Sequence, residues 1–178
     1  MKLEHFKKIE YSHLDKLYQK SPRNRQQINA FNMADVEIVQ IKKNHFLASS
    51  TDSIAVEIHS GLYKNPETWG YMAIANSISD LAASGCKPIG MLISAQWKSS
   101  HNQKIKPLVY RTMSKSLKYF QVHLLGGDSG SSNETVLTTT IIGESQSKPL
   151  TRLGVQAGDL VLAFGDFFGY GPQLSYDF

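Results

Sequence analysis

Five acidic side chains, Asp35, Asp52, Asp80, Asp128 and Asp159, fall at the ends of predicted strands or on the inner face of a predicted helix. Carboxylates beside hydroxyls are hard oxygen donors, the kind that hold magnesium next to a phosphate. The run Ser50, Thr51, Asp52 offers two hydroxyls and a carboxylate in succession. Asn76 and Asp80 stand at i and i+4 on a stripe that otherwise reads as buried, so both side chains point the same way. A buried carboxylate costs several kcal/mol unless a cation or hydrogen-bond donors satisfy it. The segment Gly126, Gly127, Asp128, Ser129, Gly130 reads as a loop in which glycine amides can approach an anion while Asp128 holds a cation. Any single Asp is more commonly a turn or cap residue, and that reading stays open for each. Their number argues for a metal.

Other chemistries lack their residues. There is no Cys pair and no His pair at helical spacing to support zinc. No Gly-Lys-Ser/Thr follows a glycine loop, and Gly165, Gly169 and Gly171 are too aromatic in context for a dinucleotide fingerprint. Gly-x-Ser-x-Gly is absent, and Cys86 sits in a helix-ending turn without a nearby His, so nucleophilic catalysis has no support.

The elements that must position these groups can be read from periodicity. Residues 1–32 form a polar arm with a weak helical pattern through Ile9, Leu14 and Leu17. Strands are expected over 36–41, 45–49 and 53–58. Asn65, Pro66 and Glu67 open a helix with a capping amide, Pro at the first position and an acid in the first turn. Trp69, Met72, Ala73, Asn76 and Asp80 recur along its inner face until Ser84 and Gly85 end it. A strand over 89–95 precedes a second amphipathic helix over 104–120, with Leu108, Val109, Met113, Leu117 and Phe120 inward. Strands follow over 122–125, 135–142 and 160–164, while 165–178 has no period. The order gives an α+β or mixed α/β fold, with one layer of helices on one face of a mostly antiparallel or mixed sheet.

The chain has 178 residues, 41% of them hydrophobic and 19% charged, enough for one domain with a real core and too apolar for disorder. Its net charge of +4 comes from scattered basic residues, which favours anionic small molecules over nucleic acid. One Cys fits a reducing compartment. No apolar run approaches the roughly 20 residues that cross a bilayer, and residues 1–10 lack a signal-peptide pattern. The expectation is a cytoplasmic protein with no membrane or nucleic-acid partner.

The segments that carry the acids resemble a known family. Ser50, Thr51, Asp52 with His59 following, YMAIANSISDLAASG over 71–85, LGGD over 125–128 and LTRLGVQAGD over 150–159 occur in order. From about Asp35 to Phe164 they are similar to the N-terminal domain of the thiamine-monophosphate kinase family, in the aminoimidazole ribonucleotide synthase superfamily. The resemblance implies an ATP-dependent, magnesium-dependent enzyme that moves a phosphoryl group onto thiamine monophosphate, giving thiamine diphosphate. It implies Asp35, Ser50, Thr51, Asp52, Asp80 and Asp128 as metal ligands. Gly127, Asp128 and Arg152 would contact ATP, and His59 would face the thiamine phosphate. A homodimer is implied as well, the sheets of two subunits completing a barrel, which would cover open sheet edges.

The chain departs from the family in three places. Met33, Ala34, Asp35 stand where the family usually has Gly-Asp-Asp, which removes one carboxylate and one glycine but keeps the matching Asp. Ser60 replaces an aromatic residue after His59. The second domain, with its Ser-Asp-Gly and Gly-Gly-Glu-Asp segments, does not follow, so 33–165 is expected to be the ATP- and magnesium-binding domain and 166–178 the truncated start of the next. A non-catalytic dimerisation or ligand-binding module on the same fold is the alternative function. Sister synthases, forming aminoimidazole ribonucleotide or selenophosphate, rank below the kinase because SDLAASG and LTRLGVQAGD are closer to it.

Overall fold

The computed structural model describes residues 14, 16–101 and 103–162. Five strands, β1 (Glu37–Lys42), β2 (His45–Ser53), β3 (Lys87–Lys98), β4 (Leu124–Ser132) and β5 (Val136–Ser145), form one sheet in the order β1-β2-β5-β3-β4. β3 and β4 pair in parallel and the other neighbours are antiparallel, so the sheet is mixed. The helices are α1 (Ala55–His59), α2 (Pro66–Ala83) and α3 (Ile105–Tyr119). The fold class expected from the pattern of elements is the one observed.

Helix α2 begins where its capping chemistry dictates, the Asn65 side chain accepting from Glu67 N–H at 2.9 Å with Pro66 in the first turn. Its buried face is Trp69, Gly70, Ala73, Ile74, Ser77 and Leu81. Met72 and Asn76, expected inward, lie only half-buried beside that stripe. Helix α3 crosses α2 closely at Gly70, where an added Cβ would stand 2.5 Å from the Val109 carbonyl oxygen. Two buried hydroxyls tie α2 to the sheet: Thr139 Oγ1 donates to the Ala73 carbonyl at 2.7 Å, and Ser77 Oγ lies 2.7 Å from Thr139 Oγ1. Met91, Ala95, Trp97, Leu137 and Ile141, all at 1% exposure or less, face the helices and form the core. Away from the β1 edge, where the helical residues 16–20 bring the Tyr18 hydroxyl within 3.4 Å of Glu37 Oε1, the opposite face of the sheet carries no helix among the described residues.

Three segments differ from the sequence expectation. Strand β2 runs on to Ser53, and 55–59, expected within a strand, is the helical turn α1. Ile54 is 1% exposed and Val56 is 74% exposed, and the Ile58 N–H bonds to Ile54 O at 3.1 Å. Ile54 and Ile58 thus follow helical spacing, which an apolar run this short does not distinguish from a strand. Residues 126–130, expected as a loop, are the middle of β4. Their glycines permit tight pairing with β3: a Cβ on Gly127 would lie 1.9 Å from Ile93 O, and one on Gly130 would lie 2.4 Å from Gln96 Oε1. Residues 160–162 form no strand and are exposed, and the remainder of that expected strand lies outside the described residues.

The arm packs on β1. Asn29, 5% exposed, donates to Val36 O at 3.0 Å and accepts from the Ile38 N–H at 2.8 Å, while Tyr18 stacks on Phe31 with ring centroids 4.3 Å apart. Residues 163–178, including the expected start of a second domain, lie outside the described residues.

Candidate functional site

Strand alternation divides the Ser50, Thr51, Asp52 run between the two faces of the sheet. Ser50 and Asp52 face α2, opposite Ile141 and Thr139 of β5. Ser50 Oγ donates to Asp80 Oδ2 at 2.6 Å. Asp52 lies against Asp80 and Ser77, and burial, followed by the charge of Asp80, its hydrogen bond and the charge of Glu57, pushes the Asp52 carboxyl from its ordinary 3.8 up to about 6. Asp52 therefore holds a proton at mildly acidic pH. Among the described residues neither Asp52 nor Asp80 has a cationic partner.

Thr51 points to the helix-free face, its Oγ1 2.9 Å from Thr140 Oγ1. Asp35, Ser50 and Thr51 line one polar hollow of about 330 Å³ between β2 and the chain before β1. Five of the six expected metal ligands are thus contiguous: Asp35, Ser50 and Thr51 around the hollow, and Asp52 and Asp80 joined to it through Ser50. Asp35 is ion-paired with Arg152, whose guanidinium also donates to Asn32 O at 2.9 Å.

Asp128 is not brought to this group. It sits on β4 in register with Ser94, pointing to the helix-free face, where Gln96 Nε2 donates to its Oδ2 at 3.4 Å. Ser53, Thr138, Ser94 and Asp128 form one row across four strands, which sets Asp128 roughly 14 Å from β2 at the usual strand spacing. Among the described residues, no three His, Cys, Asp or Glu side chains gather into a ready-made metal cage. His59 closes the end of α1 against the β4–β5 turn, its Nε2 3.1 Å from Thr135 O and 3.9 Å from Glu134 Oε2. Asp159 accepts from the Gln156 N–H at 2.9 Å, the turn-capping role of an ordinary Asp.

Gly127 and Asp128 border a second hollow, a cavity of about 970 Å³ between α3 and β4, walled by Ile93, Tyr110, Met113 and Leu117. It exists because Gly127 and Ser129 present almost no side chain toward α3. Tyr110 is the residue that the reading of the sequence missed: its hydroxyl lies 3.1 Å from Ser129 Oγ and accepts from Trp97 Nε1 at 3.1 Å. Its signal was faint, one aromatic residue next to the apolar stripe of an amphipathic helix.

The donors present, carboxylate and hydroxyl oxygens with no thiolate or paired imidazole, fit magnesium. Glu57 Oε2 is a buried polar atom without a hydrogen-bond partner, and the Glu57 charge adds to the upward push on the Asp52 carboxyl.

The thiamine-monophosphate kinase of Buchnera aphidicola subsp. Acyrthosiphon pisum (strain APS) is 31% identical over 132 residues, covering 74% of this chain and 40% of that protein. That of Bacillus subtilis (strain 168) is 32% identical over 127 residues, covering 70% and 39%. The chain therefore spans about 40% of the length of these curated relatives. Among solved structures, AaThiL complexed with AMPPCP and TMP superposes with a TM-score of 0.71 at 21% identity, covering 89% of this chain and 48% of that one. T. maritima PurL complexed with ATP gives 0.61 at 9% identity, covering 74% and 23%. At these identities the superpositions establish the fold, that of an aminoimidazole ribonucleotide synthase-like N-terminal domain. Residues 33–145 match the family model described as AIR synthase related protein, N-terminal domain, and the chain belongs to that family.

Proposed function

We propose that the chain is the nucleotide- and magnesium-binding N-terminal portion of a thiamine-monophosphate kinase-like enzyme, which transfers the terminal phosphoryl group of ATP to thiamine monophosphate and yields thiamine diphosphate. The observation that carries the reading is the Asp52–Asp80 pair, half-buried, bonded to Ser50 and lacking a cation of its own. Such a pair is costly in the empty fold and becomes favourable when a divalent cation joins it.

Asp35, Ser50, Thr51, Asp52 and Asp80 are the residues that would hold magnesium, with Asp128 serving on the other face of the sheet. When bound, magnesium neutralises phosphate charge and fixes the line between donor and acceptor. The acceptor phosphate is already anionic, so no protein base is needed, in keeping with a site rich in ligands and poor in general bases. The cavity beside Gly127 and Asp128 is walled by apolar side chains and Tyr110, which suits the base of a nucleotide. Arg152 would exchange Asp35 for a phosphate, the planar fork serving both anions. His59, at the end of α1, would face the thiamine phosphate.

A homodimer is part of this proposal. The helix-free face exposes Leu92 beside Thr140 and next to the row Ser94, Thr138, Ser53, an arrangement that a second sheet would cover.

Calorimetric titration with a non-hydrolysable ATP analogue, with and without magnesium, tests the reading. Saturable, magnesium-dependent binding that D80N abolishes in a folded protein is expected. Magnesium-independent binding, or binding unchanged in D80N, would overturn the assignment.

A further inference from the structure

We infer that Glu57 is a positioning residue for the divalent cation at the Asp52–Asp80 pair, its carboxylate accepting hydrogen bonds from waters on the ion rather than touching the ion itself. The inference rests on the magnesium reading above and adds a residue that neither the sequence motifs nor the resemblance singled out.

Glu57 lies on α1, the turn that begins two residues after β2 ends, and follows Asp52 by five residues. Its neighbour Val56 is 74% exposed, whereas Glu57 turns inward and is half-buried. The backbone holds it there: Glu57 O accepts from the Tyr63 N–H at 3.2 Å and from Ser60 Oγ at 3.3 Å. Glu57 Oε2 is buried and accepts no hydrogen bond. A buried carboxylate oxygen without a donor is a costly arrangement, and native folds contain few of them. Its charge also acts on Asp52, which brings a third negative group to a pair that has no cation. Among the described residues the acids do not gather into a cage of three direct ligands, so Glu57 is assigned to the waters on the ion and not to the ion itself. Magnesium gives up its waters reluctantly, and its bound waters are the strongly polarised donors that such an oxygen lacks. Outer carboxylates of this kind orient the inner ligands, and removing one costs metal affinity in the range of 10- to 100-fold.

The test is a magnesium titration of the whole 178-residue chain without nucleotide or thiamine phosphate, read by thermal unfolding and by calorimetry. Wild type, E57Q, E57A and D80N are compared, with near-ultraviolet circular dichroism as the check on packing. The expected result is that E57Q without metal unfolds at the wild-type temperature or above it, since an unpartnered charge has been removed. Its magnesium affinity should be lower by about tenfold, and E57A should show the same loss. Wild-type affinity in both Glu57 variants, with D80N weakened, would overturn the role of Glu57 and leave the metal site standing. Weaker metal binding accompanied by a less stable metal-free protein would also overturn it, because Glu57 would then be acting on the fold. If wild type gains nothing from magnesium and D80N matches it, the magnesium reading itself fails and takes this inference with it.

Discussion

Replacing Asp52 by Asn should stabilise the metal-free protein at neutral pH and leave it unchanged in acid. Asp52 holds its proton in the fold up to about pH 6, whereas the unfolded chain releases it near the ordinary 3.8. Between those values the folded state binds more protons than the unfolded state, so this group's contribution to stability falls as pH rises and is fully lost above about pH 6. The difference corresponds to about 3 kcal/mol at 1.36 kcal/mol per pH unit. Screening at a half-buried group reduces the expected effect to about 1–2 kcal/mol. Asn imitates the protonated acid, so the D52N-minus-wild-type difference should be near zero at pH 4 and should grow to that size by pH 7.5. Urea unfolding at a series of pH values without divalent cations measures it, and subtracting the two proteins cancels every other titrating group. Magnesium at pH 7.5 should erase the difference by stabilising wild type and not D52N. A difference curve that is flat, or that shows D52N weaker at neutral pH, would refute both the retained proton on Asp52 and its cause in burial beside Asp80.

Other perturbations test the frame around the site. G127A places a methyl group against Ile93 O, and forcing β3 and β4 apart should cost about 3 kcal/mol or more, seen as a lower urea midpoint. T139V removes the donor to Ala73 O and leaves buried Ser77 short of a partner, which should cost about 1–3 kcal/mol in the same assay. Y110A should leave the fold intact while weakening binding of an ATP analogue, and equal affinity in calorimetry would show that the nucleotide base sits elsewhere. L92K puts a charge at the middle of the helix-free face and should yield monomers in sedimentation equilibrium if two sheets meet there.

Local chemistry alone decided much of this protein. Asn65, Pro66 and Glu67 determined the start of α2, and the spacing of Val109, Met113 and Leu117 determined the buried face of α3. The acids were visible as hard oxygen donors because residue type sets ligand chemistry wherever the chain places it. Periodicity failed where two periods coincide over a few residues, as at Ile54, Val56 and Ile58. It also failed where glycines serve a partner strand: Gly127 reads as a loop residue in isolation, and only Ile93 O across the pairing shows that it is a packing requirement. Tertiary structure alone sorted the acids. Side-chain alternation along β2 sent Asp52 to α2 and Thr51 to the open face, and the parallel register of β4 put Asp128 in the row of Ser94, strands away from Asp80. The burial that raises Asp52 and leaves Glu57 Oε2 without a donor arises from elements brought together across the sheet, and spacing along the chain carries no record of it.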